Sequence, residues 1–142
     1  MSAIKSKFIP WLMPFLWLLA SSNLWAGDYS HPDIDRMLRT DTAPDGLVIE
    51  LLSWDDRTWD WAAPMITDLR QQLLQRFPDI DIAVVSHGGE QFQLTKENAV
   101  EQPEAIAQLG ELTEQGVNLH VCGTHSSWRD VEETAYIDIV DV

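Results

Sequence analysis

Three short apolar runs, each stopped by a turn and separated by stretches of helical period, constrain this chain more than any other feature. Leu47-Val48-Ile49-Glu50-Leu51-Leu52, Ile80-Asp81-Ile82-Ala83-Val84-Val85 and Val117 to Cys122 have strand length and strand composition. Between the first two, Met65, Leu69, Leu73 and Phe77 recur every fourth residue, with Ile66 and Leu74 widening the stripe. That spacing predicts a helix from about Asp60, with Pro64 in its first turn and Pro78 closing it. Between the second and third, Pro103 to Gln115 predicts a helix that buries Ile106, Leu109 and Leu112 and is capped by Gly116.

Around this frame, residues 27–45 are polar and punctuated by Pro32 and Pro44; they are expected to be a lead-in, with at most one helical turn at Ile34–Leu38. A polar stretch follows the second strand as far as Gln102. A short helix from about Ser127 to Glu133 and a last strand-like run, Tyr136-Ile137-Asp138-Ile139-Val140, complete the pattern. Strands alternating with helices imply crossover units, so the fold class expected is a single small α/β domain, a mainly parallel sheet with helices on both faces.

The first 26 residues read as an address. Lys5 and Lys7 precede an apolar run from Phe8 to Ala20, and polar residues and Ala26 follow. Basic start, short apolar middle and small-residue end are the parts of a secretory signal, with cleavage expected after Ala26, or alternatively after Ser22 with Ala20 behind it. The run is shorter than the roughly 20 residues that span a bilayer, so no stable span is expected after cleavage. The expected destination is the periplasm.

Composition narrows the function. Nine Lys and Arg stand against 23 Asp and Glu, for a formal charge of -14. Nucleic-acid binding needs basic surface to displace counterions, so nucleic acid is excluded as a partner. There is 1 cysteine. No internal disulfide and no Cys-rich zinc site can be built from it, yet an exported chain meets an oxidising compartment, where a thiol without an internal partner needs a reason.

In parallel α/β sheets, chemistry gathers at the carboxyl ends of the strands. Three loops lie there: Ser53–Asp56, Ser86–Gly89 and Cys122–His125, and the single cysteine is in the third. Cys122 precedes a helix whose N-cap is expected at Ser126 or Ser127. Unpaired N–H groups there would stabilise a negative sulfur, and His87 and His125 lie on loops that can approach it. The alternative is a buried cysteine acting as a small hydrophobe. His120, Cys122 and His125 also have metal-ligand chemistry suited to copper or zinc, since residues 120 and 122 share a strand face.

Weaker features flank these. Gly88-Gly89 suggests a tight turn rather than a phosphate cradle. Asp55, Asp56 and Asp60 fit ordinary helix capping. Ser86 beside His87 lacks the strand-to-helix elbow of a serine hydrolase. Trp54, Trp59, Trp61 and Trp128 suit an apolar cleft rim or a subunit interface. Arg129 is a candidate for docking an anionic sulfur compound.

The segment Gly116-Val117-Asn118-Leu119-His120-Val121-Cys122, the Val-Ser-His-Gly-x-Glu turn from Val85 to Glu90, and Val121-Cys122-Gly123-Thr124 resemble the DsrE/DsrF-like sulfur-relay family, in its exported subgroup. The resemblance covers residues 46–142. It implies a small α/β domain assembled as trimers or hexamers, with a cysteine, here Cys122, that carries sulfane sulfur as a persulfide. It calls for no cofactor and for a sulfur donor or acceptor as partner, either a protein or a small sulfur compound. His87, His125 and Arg129 are then expected to tune the thiol or dock the anion. Relatives are mostly cytoplasmic and continue past the last strand with a Gly-Pro turn and a final helix. That helix is expected to be missing here, leaving one sheet face uncovered or closed by a neighbouring subunit. The rival classes are a metal-binding module and a non-catalytic structural oligomer.

Overall fold

The computed structural model describes residues 29–142; the expected signal peptide lies outside them. The elements in chain order are α1 (Pro32–Leu38), β1 (Gly46–Leu51), α2 (Thr58–Arg76), β2 (Asp81–Ser86), α3 (Pro103–Glu114), β3 (Val117–Val121) and α4 (Gly123–Ser127). Short 3-10 turns at Gly89–Leu94, Ala99–Glu101 and Glu133–Ala135 fill the connections. The three strands form one parallel sheet in the order β1-β2-β3. The fold class is a small α/β domain. Among the described residues no helix is long and apolar enough to cross a membrane.

The strand order fixes where the helices go. Both crossovers step the same way along the sheet, and right-handed connections then put both helices on the same side. Strand burial agrees with that arrangement. Ile82 and Val84 on β2 and Val117, Leu119 and Val121 on β3 are buried. They pack in one core with Trp59, Ile66 and Leu73 of α2 and Leu109 and Leu112 of α3. The alternate positions point away from that core: Val48 is 63% exposed, Glu50 and Asn118 are exposed, and Ala83, Val85 and His120 are half-buried. Helices on both faces were expected from the crossovers. Instead, among the described residues, α2 and α3 share one face and the other is open, because the strand order never reverses.

Other differences are local. The lead-in holds a two-turn helix, α1, whose cap is His31 accepting from Asp33 N at 3.2 Å, and whose Ile34 is buried in the core. Helix α2 begins at Thr58, so Pro64 lies in its second turn, where it has no N–H to donate to the carbonyl of exposed Asp60. Gly116 ends α3 with φ 91, a conformation a side chain would strain, and its N–H donates to Thr113 O at 3.0 Å. The run Tyr136–Val140 is not a strand. Ladder pairing there is limited to isolated bridges, Thr95 with Tyr136 and His120 with Asp141. Asp141 donates to Leu119 O and accepts from Val121 N, both at 2.9 Å, so the tail covers part of the β3 edge.

Candidate functional site

The three strand-end loops do come together, and two consecutive polar residues on the Gly89–Leu94 turn join them. Glu90 and Gln91 both have 0% exposure. The Glu90 carboxylate accepts from Ser53 N at 2.7 Å, from Ser86 Oγ at 2.8 Å and from Gly88 N at 3.0 Å. Its backbone carbonyl accepts from Trp59 Nε1 at 3.0 Å, which satisfies the fully buried indole. Gly89 N adds a bond to Ser53 O at 2.8 Å. The loop after β1 and the loop after β2 are thereby closed around one carboxylate. An anion does sit at the Gly88-Gly89 turn, and it is the chain's own. Gly88 is required there, since a Cβ would lie 2.6 Å from Ser53 O and 2.7 Å from Ser53 N.

Gln91 does the same for the third loop. Its side-chain carbonyl accepts from Cys122 N at 3.3 Å and its amide donates to Cys122 O at 3.4 Å, while Cys122 N also donates to Ser86 O at 3.0 Å. The Gln91 amide further reaches Ser126 Oγ at 3.1 Å and Tyr136 Oη at 3.3 Å. Ser126 Oγ donates to Cys122 O at 3.0 Å, so the 2.8 Å contact between Ser126 and Tyr136 is a donation from the phenol. With these assignments every polar group of the cluster is satisfied, the condition for burying one without penalty.

Cys122 therefore leaves the strand as the N-cap of α4, well before the cap expected at Ser126 or Ser127. Its Sγ accepts from His125 N at 3.4 Å, and the residue is half-buried. A pocket of about 250 Å³ opens beside it, lined by Trp54, His87, Cys122, Thr124, His125 and Trp128. His125 Nδ1 lies 2.9 Å from the carbonyl of His87. A carbonyl only accepts, so Nδ1 carries the proton and Nε2 of the neutral ring is left with a lone pair. The imidazole packs edge-on against Trp54, Phe92 and Trp128, with ring centroids 5.9, 5.0 and 6.1 Å away. His87 Nε2 approaches Glu50 Oε1 at 2.7 Å, a close contact without the alignment of a hydrogen bond.

Of the residues singled out by sequence, Cys122, His87 and His125 share this pocket. Arg129 does not line it. Its guanidinium lies over the Phe92 ring, 5.6 Å from the centroid, and it borders two adjacent grooves. His120 is also apart, with Nδ1 3.9 Å from Asp141 Oδ2 on the open face. Strand alternation would put His120 and Cys122 side by side, but alternation ends at Val121, where the chain turns into α4. Among the described residues no three His, Cys, Asp or Glu side chains gather as a metal-binding group. The tryptophans divide: Trp54 and Trp128, 66% and 76% exposed, rim the pocket, whereas Trp59 is core. Asp55 and Asp60 serve the start of α2, Asp55 Oδ1 accepting from Arg57 N at 3.0 Å and Asp60 pairing with the Arg57 guanidinium. That hydrogen bond, and then the Asp60 charge, raise the Arg57 pKa above its ordinary value. Ser86 is wholly buried and bonded to Glu90, a structural hydroxyl rather than a nucleophile.

Comparison with family models, with characterised proteins and with solved structures finds no significant match for this chain.

Proposed function

We propose that this chain is an exported, DsrE/DsrF-like sulfur-handling protein that carries sulfane sulfur on Cys122. The observation that supports the reading most is the placement of the only thiol: half-buried, at the strand ends, on the wall of a small pocket, with its sulfur accepting a backbone N–H. A donor to a thiolate sulfur stabilises the nucleophilic form. The step is an exchange at sulfur. The Cys122 thiolate attacks the outer sulfur of a donor persulfide, the donor's sulfur–sulfur bond breaks, and the donor leaves as a thiolate while Cys122 becomes the persulfide. No external oxidant is consumed.

One cysteine with no resolving partner holds the sulfur until a thiol of another molecule takes it, so the protein is a carrier more than a turnover enzyme. The exposed Trp54 and Trp128 at the pocket mouth suit an apolar contact with such a donor or acceptor. Arg129, outside the pocket, is left at most an outer docking role for an anionic donor. The periplasm is the proposed location, on the N-terminal leader. A homo-oligomer, trimer or hexamer, is the proposed assembly; the open face bearing Val48, Ala83 and Val85 supports it.

The test is the intact mass of protein purified from the periplasm without reductant. A species heavier by about 32 Da, lost on reduction and absent in Cys122→Ser, is the expected result. An unmodified thiol that also resists alkylation in the folded state would exclude the carrier reading and leave a structural cysteine. Loss of sulfur binding on His120→Ala, together with a metal-dependent rise in melting temperature, would instead favour the metal module.

A further inference from the structure

We infer that Gln91 is a positioning residue for the Cys122 thiol, setting its reactivity through the backbone rather than by touching sulfur or substrate. The inference rests on Cys122 being the working group, but on no particular sulfur chemistry. Gln91 has no exposed surface, and its primary amide pairs head-to-tail with the N–H and C=O of Cys122, as an extra strand would. That pairing covers the one residue at which β3 becomes α4, where the last ladder bond, Cys122 N to Ser86 O at 3.0 Å, meets a helix of a single turn. A five-residue helix has too few internal bonds to fix its own first residue. The orientation of Sγ toward His125 N therefore depends on what holds the Cys122 peptide, which Gln91 does together with Ser86 O and with the N–H and hydroxyl of Ser126.

Two further features point the same way. The amide is held in one orientation by Ser126 and Tyr136, whose hydroxyls close the network on the far side. Flipping the amide would set its NH2 against the Cys122 N–H and its oxygen against the Cys122 carbonyl, so the flipped form is disfavoured. Gln91 is also uncharged. A carboxylate at this position would oppose a thiolate, whereas the carboxylate of Glu90 is directed instead to the loops after β1 and β2. The titratable groups that line the thiol's pocket are His87, itself beside Glu50, and His125; the Gln91 cluster adds only the Tyr136 phenol.

The experiment measures alkylation of Cys122 by iodoacetamide, a neutral reagent, across pH in folded protein. Gln91→Met keeps side-chain length and removes both bonds to Cys122. Alkylation near neutral pH should slow about five-fold, the effect of losing one ordinary hydrogen bond to the reacting thiolate, and the profile should move to higher pH. Tyr136→Phe is the control: it loses stability through the same network but leaves the amide–Cys122 pair in place, so its profile should superimpose on that of the unmutated protein. A Gln91→Met profile that superimposes as well, or equal slowing in both variants, overturns the inference. If Gln91→Met does not fold, the unmutated protein decides by nuclear magnetic resonance. The Gln91 side-chain amide protons should exchange slowly and shift when Cys122 is alkylated; rapid exchange overturns the inference. Absence of sulfane transfer with these thiol results intact would refute the carrier reading alone.

Discussion

Glu90 and Gln91 are neighbours on one 3-10 turn, equally buried, and they hold two halves of the same sheet end by different chemistry. The half after β1 and β2 is gathered around a carboxylate that accepts two backbone N–H groups and one hydroxyl. The half after β3, where the thiol sits, is held by a neutral amide that both gives and takes. A carboxylate suits a cluster of donors and nothing else, because it has no proton to offer a carbonyl. An amide suits a peptide group, and it brings no charge to the sulfur. The contrast separates a region built to be rigid from one built to be rigid and chemically permissive.

Removing the carboxylate should break the first region most severely. Glu90→Ala leaves Ser53 N, Gly88 N and Ser86 Oγ without their partner, and a buried orphan donor costs roughly 1–3 kcal/mol. The variant is expected to lose about 3 kcal/mol or more of stability, read as a large fall in the urea midpoint or as failure to accumulate folded protein. A midpoint equal to that of the unmutated chain would mean that the loops hold each other and the carboxylate is incidental. Next comes Gly88→Ala, whose methyl would be driven into the Ser53 backbone. Overpacking against a main chain sits at the upper end of its usual range, about 3 kcal/mol. A tolerated methyl would show that the turn can open without loss.

On the other side of the comparison, Tyr136→Phe removes the phenol that donates to Ser126 and accepts from Gln91. Ser126 still has its bond to Cys122 O, so no group is wholly orphaned and the expected loss is about 1 kcal/mol. Thermal unfolding checks this. A loss as large as that of Glu90→Ala would make the two halves equivalent and dissolve the distinction between them.

These residues also mark the limit of what the sequence discloses. The strands were legible to within a residue or two, at Gly46–Leu51, Asp81–Ser86 and Val117–Val121, because a continuous apolar run between turn residues has few other uses. Helix α2 was legible from its four-residue spacing, α3 from the stripe Ile106, Leu109 and Leu112 between Pro103 and Gly116, and Cys122 from its place at a strand end. Glu90 and Gln91 were not, since polarity in a polar stretch carries no signal of burial; only the Gly88-Gly89 pair hinted that the backbone there makes a close approach. The run Tyr136–Val140 looked like a strand because Tyr136 is buried and Ile137, Ile139 and Val140 are half-buried, yet its amides bond to turns and to Leu94 O rather than to a ladder. The one-sided placement of α2 and α3 follows from strand order, which local patterning does not encode. The same patterning made His120 look like a partner of Cys122, because it has no term for a chain that stops alternating one residue early.

The smallest effect expected belongs to the most conspicuous charge pair. Arg57 and Asp60 form an i,i+3 ion pair at the start of α2, and the hydrogen bond from Asp60, followed by its charge, raises the Arg57 pKa. A raised pKa contributes stability that is present below the unfolded value and is lost as pH rises through the folded value. For arginine both lie beyond the alkaline range in which the fold would be studied, so this contribution does not change across neutral and mildly alkaline pH. The guanidinium is also fully exposed to water and salt, where such pairs count for little. Arg57→Gln should therefore leave the urea midpoint unchanged between pH 6 and 9, and added salt should not separate the two proteins. A measurable fall would place part of the stability of the first strand-end loop in this exposed pair, and Glu90 would then share the closure of that loop with a surface contact.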